Sequence, residues 1–137
     1  MKIHVDVVSA EGEIYSGSAS MVFVAAELGE VGIAPRHAPL LTRMRPGQVR
    51  VQQEGQDEVT FFVSGGVLEV QPHLVTVLAD TVERAADIDE AEAEKAKKRA
   101  EEAMSEAHDR VDMARAQAEL AEAAARLSIV QKLRSGH

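Results

Sequence analysis

Thr81-Val82-Glu83-Arg84-Ala85-Ala86-Asp87-Ile88-Asp89 is the stretch on which the fold turns. Before it, apolar residues recur at every second position between turn residues. After it, alanine and charge take over, and neither glycine nor proline occurs between Ile88 and Ser135. A period of two is that of a strand with one buried face, whereas a long run of alanine, glutamate, lysine and arginine is that of helix. The change sets a domain boundary, with a β domain over residues 1–86 and a helical domain over residues 87–137.

Working back from the boundary, Leu74-Val75-Thr76-Val77-Leu78-Ala79 reads as a strand after a Pro72-His73 turn, and Val67-Leu68-Glu69-Val70 as the strand before it. Ser64-Gly65-Gly66 breaks the chain ahead of that, reading as a bulge or tight turn; it lacks the preceding glycine of a nucleophile elbow. Val59-Thr60-Phe61-Phe62-Val63 pairs across Glu54-Gly55-Gln56 with an alternating strand that starts after Pro46-Gly47. Further back come a strand through Met21-Val22-Phe23-Val24-Ala25, a short strand around Ile14 and Tyr15 that breaks at Gly17, and Ile3-Val5-Val7 alternating with Lys2, His4 and Asp6. Eight or so short strands at this spacing predict an antiparallel β-sandwich, and the whole chain an α+β fold.

One stretch of the β domain departs from the alternation, Gly32-Ile33-Ala34-Pro35-Arg36-His37-Ala38-Pro39-Leu40-Leu41. Each proline fixes φ, removes a donor and keeps its predecessor out of the helical region, so the stretch reads as a loop. Three uses are open to it: a catalytic or metal-binding histidine, a rigid recognition loop, or a plain corner.

Forward from the boundary, Asp89 is placed to cap a helix, with Glu92 three residues on and Glu90, Glu92 and Glu94 at the positive end of the macrodipole. Ala93, Ala96, Ala100, Ala103, Ala107, Val111, Ala114, Ala118, Ala121 and Ala125 recur at steps of three or four, predicting one continuous apolar stripe. Met104 to Arg110 is the poorest helix-forming run and the expected hairpin turn, giving a two-helix hairpin; no glycine marks it, and one unbroken helix is the other reading the run allows. No acid follows Glu122, while Arg126, Lys132 and Arg134 do. Those cations either offset the macrodipole or make a basic tip that docks on an acidic surface.

Chemistry is sparse. The chain of 137 residues has no cysteine, which excludes disulfides, thiol catalysis and thiolate zinc and suits a reducing compartment. A charged, alternating amino terminus and the lack of a long apolar run predict a soluble intracellular chain. A net charge of −8 argues against nucleic-acid binding and for a protein partner. The five histidines show no ligand spacing, no phosphate loop occurs, and the acids alternate outward or lie on the helices. No catalytic residue, metal or cofactor is expected.

Gly29-Glu30-Val31-Gly32-Ile33-Ala34-Pro35-Arg36-His37-Ala38-Pro39-Leu40-Leu41, Ser64-Gly65-Gly66-Val67-Leu68-Glu69-Val70-Gln71-Pro72 and Val75-Thr76-Val77-Leu78-Ala79-Asp80, in that order, resemble the epsilon-subunit family of bacterial F-type ATP synthases. The resemblance runs over the whole chain. It implies a non-catalytic central-stalk (rotor) subunit whose sandwich binds the gamma subunit and rests on the c-subunit ring, coupling proton translocation to ATP synthesis. It implies Glu30, Pro35, His37 and Pro39 as ring contacts. It further implies a helical tail that folds against the sandwich or extends along gamma, where it inhibits hydrolysis by the catalytic alpha/beta head. Arg115, Arg126, Lys132 and Arg134 would then face an acidic loop of beta. Location at the cytoplasmic face of the inner membrane, held there through the complex alone, follows from the same resemblance. Some relatives bind ATP on the folded tail through an Ile/Leu-Asp-x-x-Arg-Ala motif. Here the run is Ile88-Asp89-Glu90-Ala91-Glu92-Ala93, with Glu92 where the arginine is expected, Glu122 where another supports the phosphates, and Arg99 and Arg126 retained. Losing charge-assisted bonds and adding repulsion predicts no useful ATP binding. The alternative reading is a free-standing nucleotide-sensing module on the same scaffold. A small enzyme built around His37 ranks after both.

Overall fold

The computed structural model describes residues 1–135 and forms two compact units, Met1–Arg84 and Ala85–His137. The first unit is the sandwich. Its strands are β1 (Ile3–Ser9), β2 (Gly12–Ala19), β3 (Met21–Ala26), β4 (Gly29–Ile33), β5 (Leu40–Gln52), β6 (Val59–Val63), β7 (Gly66–Gln71), β8 (Leu74–Ala79) and β9 (Val82–Arg84). Hydrogen bonding runs in the order β2-β1-β8-β7-β5-β3-β4, with β6 joined to β5 and β9 to β6. The pairings are antiparallel save β1 with β8, where His4 to Val8 run alongside Leu74 to Leu78.

The alternation read from sequence is borne out where one face is buried. Ile3, Val5 and Val7 point into the core with Val22, Val24, Val49, Val51, Phe61, Val63, Leu68, Val70, Val75 and Val77. Full burial of each such side chain is worth about 1.5–3 kcal/mol, an upper figure because the unfolded chain already hides some surface. Tyr15 closes one edge of this core, its ring edge-on to Phe61 at 5.5 Å between centroids.

Four details of the sequence reading need correction. Gly17 does not break β2; it pairs with Val5, and a Cβ there would lie 2.9 Å from the Tyr15 hydroxyl oxygen, so the glycine makes room for that ring. Gly29–Ile33 is a strand, and Leu40-Leu41 open another, which leaves only residues 34–39 irregular. β5 does not begin after Pro46-Gly47 but runs through it. Its first part, Leu40 to Met44, pairs with β7 and its later part, Gly47 to Val51, with β6. Pro46 therefore falls where neither ladder needs its missing N–H. Between Val49–Val24 and Met44–Ala26 the register shifts, and a Cβ on Gly47 would meet the Ala25 Cβ at 2.7 Å. The proline and glycine thus mark a bend within one strand.

The second unit starts with a 3-10 turn, Ala85–Asp87, followed by helices α1 (Glu90–Ser105) and α2 (Arg110–Arg134) packed against each other. Asp89 caps α1, its Oδ1 accepting the Glu92 N–H at 3.1 Å. The turn falls within the expected run. No glycine is required, because Asp109 takes extended angles (φ −133°, ψ 177°) and accepts the Asp112 N–H at 2.8 Å, restarting the helix with its own cap.

The fourth correction concerns the alanine stripe. Its α1 half holds: Ala93 and Ala100 are buried and Ala96, Ala103 and Ala107 half-buried. On α2, however, Val111, Ala114, Ala118 and Ala121 are exposed, and the covered line is Ala116, Leu120, Ala123, Leu127 and Val130. The two lines differ by two residues, roughly 200° around a helix. Leucine and valine bury more apolar area than alanine, so the heavier line takes the inside once the turn has reset the phase.

Candidate functional site

The irregular segment between β4 and β5 is braced at several points. The His37 N–H donates to the Ala34 carbonyl at 3.1 Å, closing a turn with Pro35 second and Arg36 third. Arg36 has φ 67°, the left-handed value that the third position of a type II turn demands and that glycine or asparagine ordinarily supplies. Holding arginine there costs about 1–2 kcal/mol. Its N–H donates to the Pro72 carbonyl at 2.9 Å, which ties the loop to the β7–β8 turn. The His37 Nδ1–H donates to the Ala38 carbonyl at 2.7 Å, fixing the ring with Nε2 remaining as its second polar atom. Pro35, His37 and Pro39 thus share one stiff surface segment. Glu30 stands on β4 opposite Ala25 and engages Arg50 instead of the loop, Nη2 to Oε1 at 3.5 Å. Arg50 also reaches Glu58 at 3.2 Å and lies over the Phe23 ring at 4.3 Å.

A second surface was not singled out by the sequence reading. Across the outer face of β5, β7, β8 and β1, Arg43, Val67, Leu78 and Val8 form one row, and Leu41, Glu69, Thr76 and Asp6 the next. Leu41 is 70% exposed and Leu78 48%. The signal for this face was present: Val7-Val8, Leu40-Leu41, Val67-Leu68 and Val77-Leu78 each double an apolar residue, so one of each pair must point away from the core. Beside this band Ser16 Oγ donates to Asp6 Oδ1 at 2.7 Å, and His4 Nε2 approaches the same carboxylate oxygen at 2.8 Å and Ser16 Oγ at 3.0 Å. The three residue types are those of a hydrolase triad but the wiring is not. One imidazole nitrogen faces both partners, and the hydroxyl proton goes to the carboxylate, so no base is poised to activate the serine. Ser64 is likewise structural, accepting the Thr81 N–H at 2.9 Å and the Thr81 hydroxyl at 2.7 Å.

On the helical unit, the basic residues are in two conditions. Arg126 Nη1 donates to Glu92 Oε2 at 2.7 Å, and Arg134 Nη1 donates to Glu90 Oε1. Arg115 and Lys132 are exposed and form no ion pair among the described residues. Of the residues of the degenerate nucleotide motif, Ile88 and Ala93 are buried, Asp89 is used as a cap, Arg99 is exposed, and Glu92 occupies Arg126. Among the described residues no group of three histidines or acids could hold a metal ion, and no helix is long and apolar enough to cross a membrane.

Comparison with known proteins agrees with this division. A family model for the beta-sandwich domain of the ATP synthase delta/epsilon chain matches residues 2–85, and one for its long alpha-helix domain matches residues 86–131. The ATP synthase epsilon chain of Nitrosococcus oceani is 67% identical over 90 residues, covering 65% of this chain and 64% of that protein. ATP synthase epsilon chain 1 of Methylococcus capsulatus is 61% identical over 89 residues, again 65% and 64%. The matched part therefore spans a little under two thirds of these relatives' length. Among solved structures, a chain of the Euglena gracilis mitochondrial ATP synthase (OSCP/F1/c-ring) superimposes with TM-score 0.77 at 19% identity, covering 98% of this chain and 80% of that one. A chain of the Tetrahymena thermophila ATP synthase central stalk and c-ring gives 0.67 at 12%, covering 95% and 97%. At such identities the likeness is one of fold.

Proposed function

The chain belongs to the delta/epsilon-chain family of ATP synthases, and from that premise we propose that it is the epsilon subunit of a bacterial F-type enzyme, a non-catalytic part of the central stalk. The observation that carries this reading is the match of both family domains, in order, to a sandwich and a helical hairpin. The outer face of β5, β7, β8 and β1 offers an apolar centre at Leu41, Val67 and Leu78 with a polar margin at His4, Asp6 and Glu69, and it takes the gamma subunit. The stiff loop with Pro35, His37 and Pro39, together with Glu30, seats the sandwich on the c-ring. Rigidity suits a part that transmits torque, since little freedom remains to be lost on binding. The protein then lies at the cytoplasmic face of the membrane through its complex and couples proton translocation to ATP synthesis.

The hairpin restrains hydrolysis when it extends along gamma, with Arg115, Arg126, Lys132 and Arg134 meeting an acidic surface of the beta subunits. ATP is not a ligand of the folded hairpin, because Glu92 sits in the motif and Arg126 is already engaged. The test is reconstitution. Added to an ATPase head lacking this subunit, the full chain co-purifies with gamma and lowers hydrolysis, whereas a chain without residues 88–137 binds equally and leaves hydrolysis high. Equal hydrolysis with both chains at saturation would remove the inhibitory role, and failure to co-purify would remove the stalk assignment.

A further inference from the structure

Glu90 and Glu92 lie in the first turn of α1, and Arg134 lies in the last turn of α2. The cross-helix pairs Glu92–Arg126 and Glu90–Arg134 show that the helices run antiparallel, which brings the α1 start beside the α2 end. Acids at a helix start and cations at a helix end each complement their own macrodipole, so these charges are favoured where they stand and then attract one another across the gap. Arg126 is no freely waving surface cation: its side chain is 17% exposed, and its Nη1 sits 2.7 Å from the carboxylate oxygen. The partners are 34 and 44 residues apart in sequence, so both contacts vanish when the helices part. The covered lines of the hairpin are largely alanine, which supplies little apolar area, and polar links therefore carry a larger share of closure than in a leucine-rich pair.

We propose that Glu92–Arg126 and Glu90–Arg134 are an ionic latch that closes the hairpin without any bound ligand and withholds Arg126 and Arg134 from other anions. Opening exchanges two intramolecular carboxylates for those of an acidic protein surface. Lys132 and Arg115, outside the latch, stay available for first encounter with such a surface. The identity of the acidic partner rests on the function proposed above; the latch itself is a property of the isolated chain.

Amide hydrogen exchange on the full-length protein measures it. The amides of Ala96 and Leu127 report opening of the two helices, and those of Val5 and Val77 in the sandwich serve as an internal reference. Glu92→Gln and Arg126→Gln should each raise the opening constant about two- to fivefold, and the two together should raise it no further than the stronger single variant. Opening of the unaltered chain should also increase as sodium chloride rises from about 0.05 to about 1 M, and Glu90→Gln/Glu92→Gln should respond less. The latch is overturned if neither single variant changes the helix amides, if the two effects multiply, or if the double glutamine variant keeps the full salt response. A latch that passes these tests in a chain that fails to inhibit an ATPase head would refute the proposed inhibitory role and leave the latch standing.

Discussion

Single residues set the local geometry of the sandwich, and two of them can be tested directly. Arg36 occupies a turn position that favours glycine, at φ 67°. Arg36→Gly should therefore stabilise the protein by about 0.5–1 kcal/mol in urea unfolding, the strain relieved being partly offset by a freer unfolded chain; a loss of stability would show that the arginine side chain outweighs the strain. Gly66 is the opposite case. Its φ is 131°, and a Cβ there would lie 2.1 Å from the Leu78 carbonyl oxygen, a backbone atom that cannot swing aside. Gly66→Ala should cost about 3 kcal/mol or more in the same assay, and more than Gly12→Ala, where φ is also positive at 121° but an added Cβ meets nothing within 4 Å, so that only the backbone strain of about 1–3 kcal/mol remains. Ser64-Gly65-Gly66 was legible as a break, a bulge or tight turn, because paired glycines between apolar runs have few other uses; Gly66 itself opens β7. Gly17 and Gly47 were not legible in this way. Gly47 makes room for Ala25, which only the pairing of β3 with β5 brings close, and Gly17 for the ring of Tyr15 on its own strand, whose position is set by its edge-on contact with Phe61 on β6.

Among the elements, β5 and α2 show how local pattern and packing divide the decision. Pro46-Gly47 is a strong break signal when read locally, yet β5 passes through it because β7 takes one side of the bend and β6 the other. On α2, two apolar lines compete for the inside: Leu120, Leu127 and Val130 of one are covered, whereas the other is exposed from Val111 to Ala121 and covered only near the helix end, at Ala125 and Ile129. Leu127→Ala should cost about 2–4 kcal/mol, read as loss of helical circular dichroism at lower denaturant, whereas Ala118→Ser on the exposed line should change stability by no more than about 0.5 kcal/mol. Equal effects at the two positions would mean that the exposed line is the one that holds the hairpin. A continuous 93–125 stripe would face one way only if the helix ran unbroken through residues 104–110. The Asp109 cap interrupts it.

At the scale of the molecule, the core cluster of the sandwich draws every member from Ile3 to Ala79. A chain of residues 1–84 should unfold in one cooperative step, with its sandwich amides still protected. Residues 85–137 alone should lose most of their helical signal, because a single pair of helices with few large apolar side chains between them buries too little area to offset its ordering entropy; a stable isolated hairpin would overturn that expectation. The sequence by itself determined the α+β class, the turnover at Thr81 to Asp89, the Asp89 cap at the start of α1, the alternation of the core strands and the loop held by two prolines. Each of these rests on neighbours within a few residues, whose spacing and backbone preference can be read along the chain. Only the tertiary structure decided the parallel β1–β8 pairing, the bend inside β5, the outer-face row Val67-Leu78-Val8, the buried line of α2 and the ion pairs Glu92–Arg126 and Glu90–Arg134. Those depend on groups far apart in sequence. Loop closure and competition for buried area, which no local pattern records, choose among the pairings that the sequence permits.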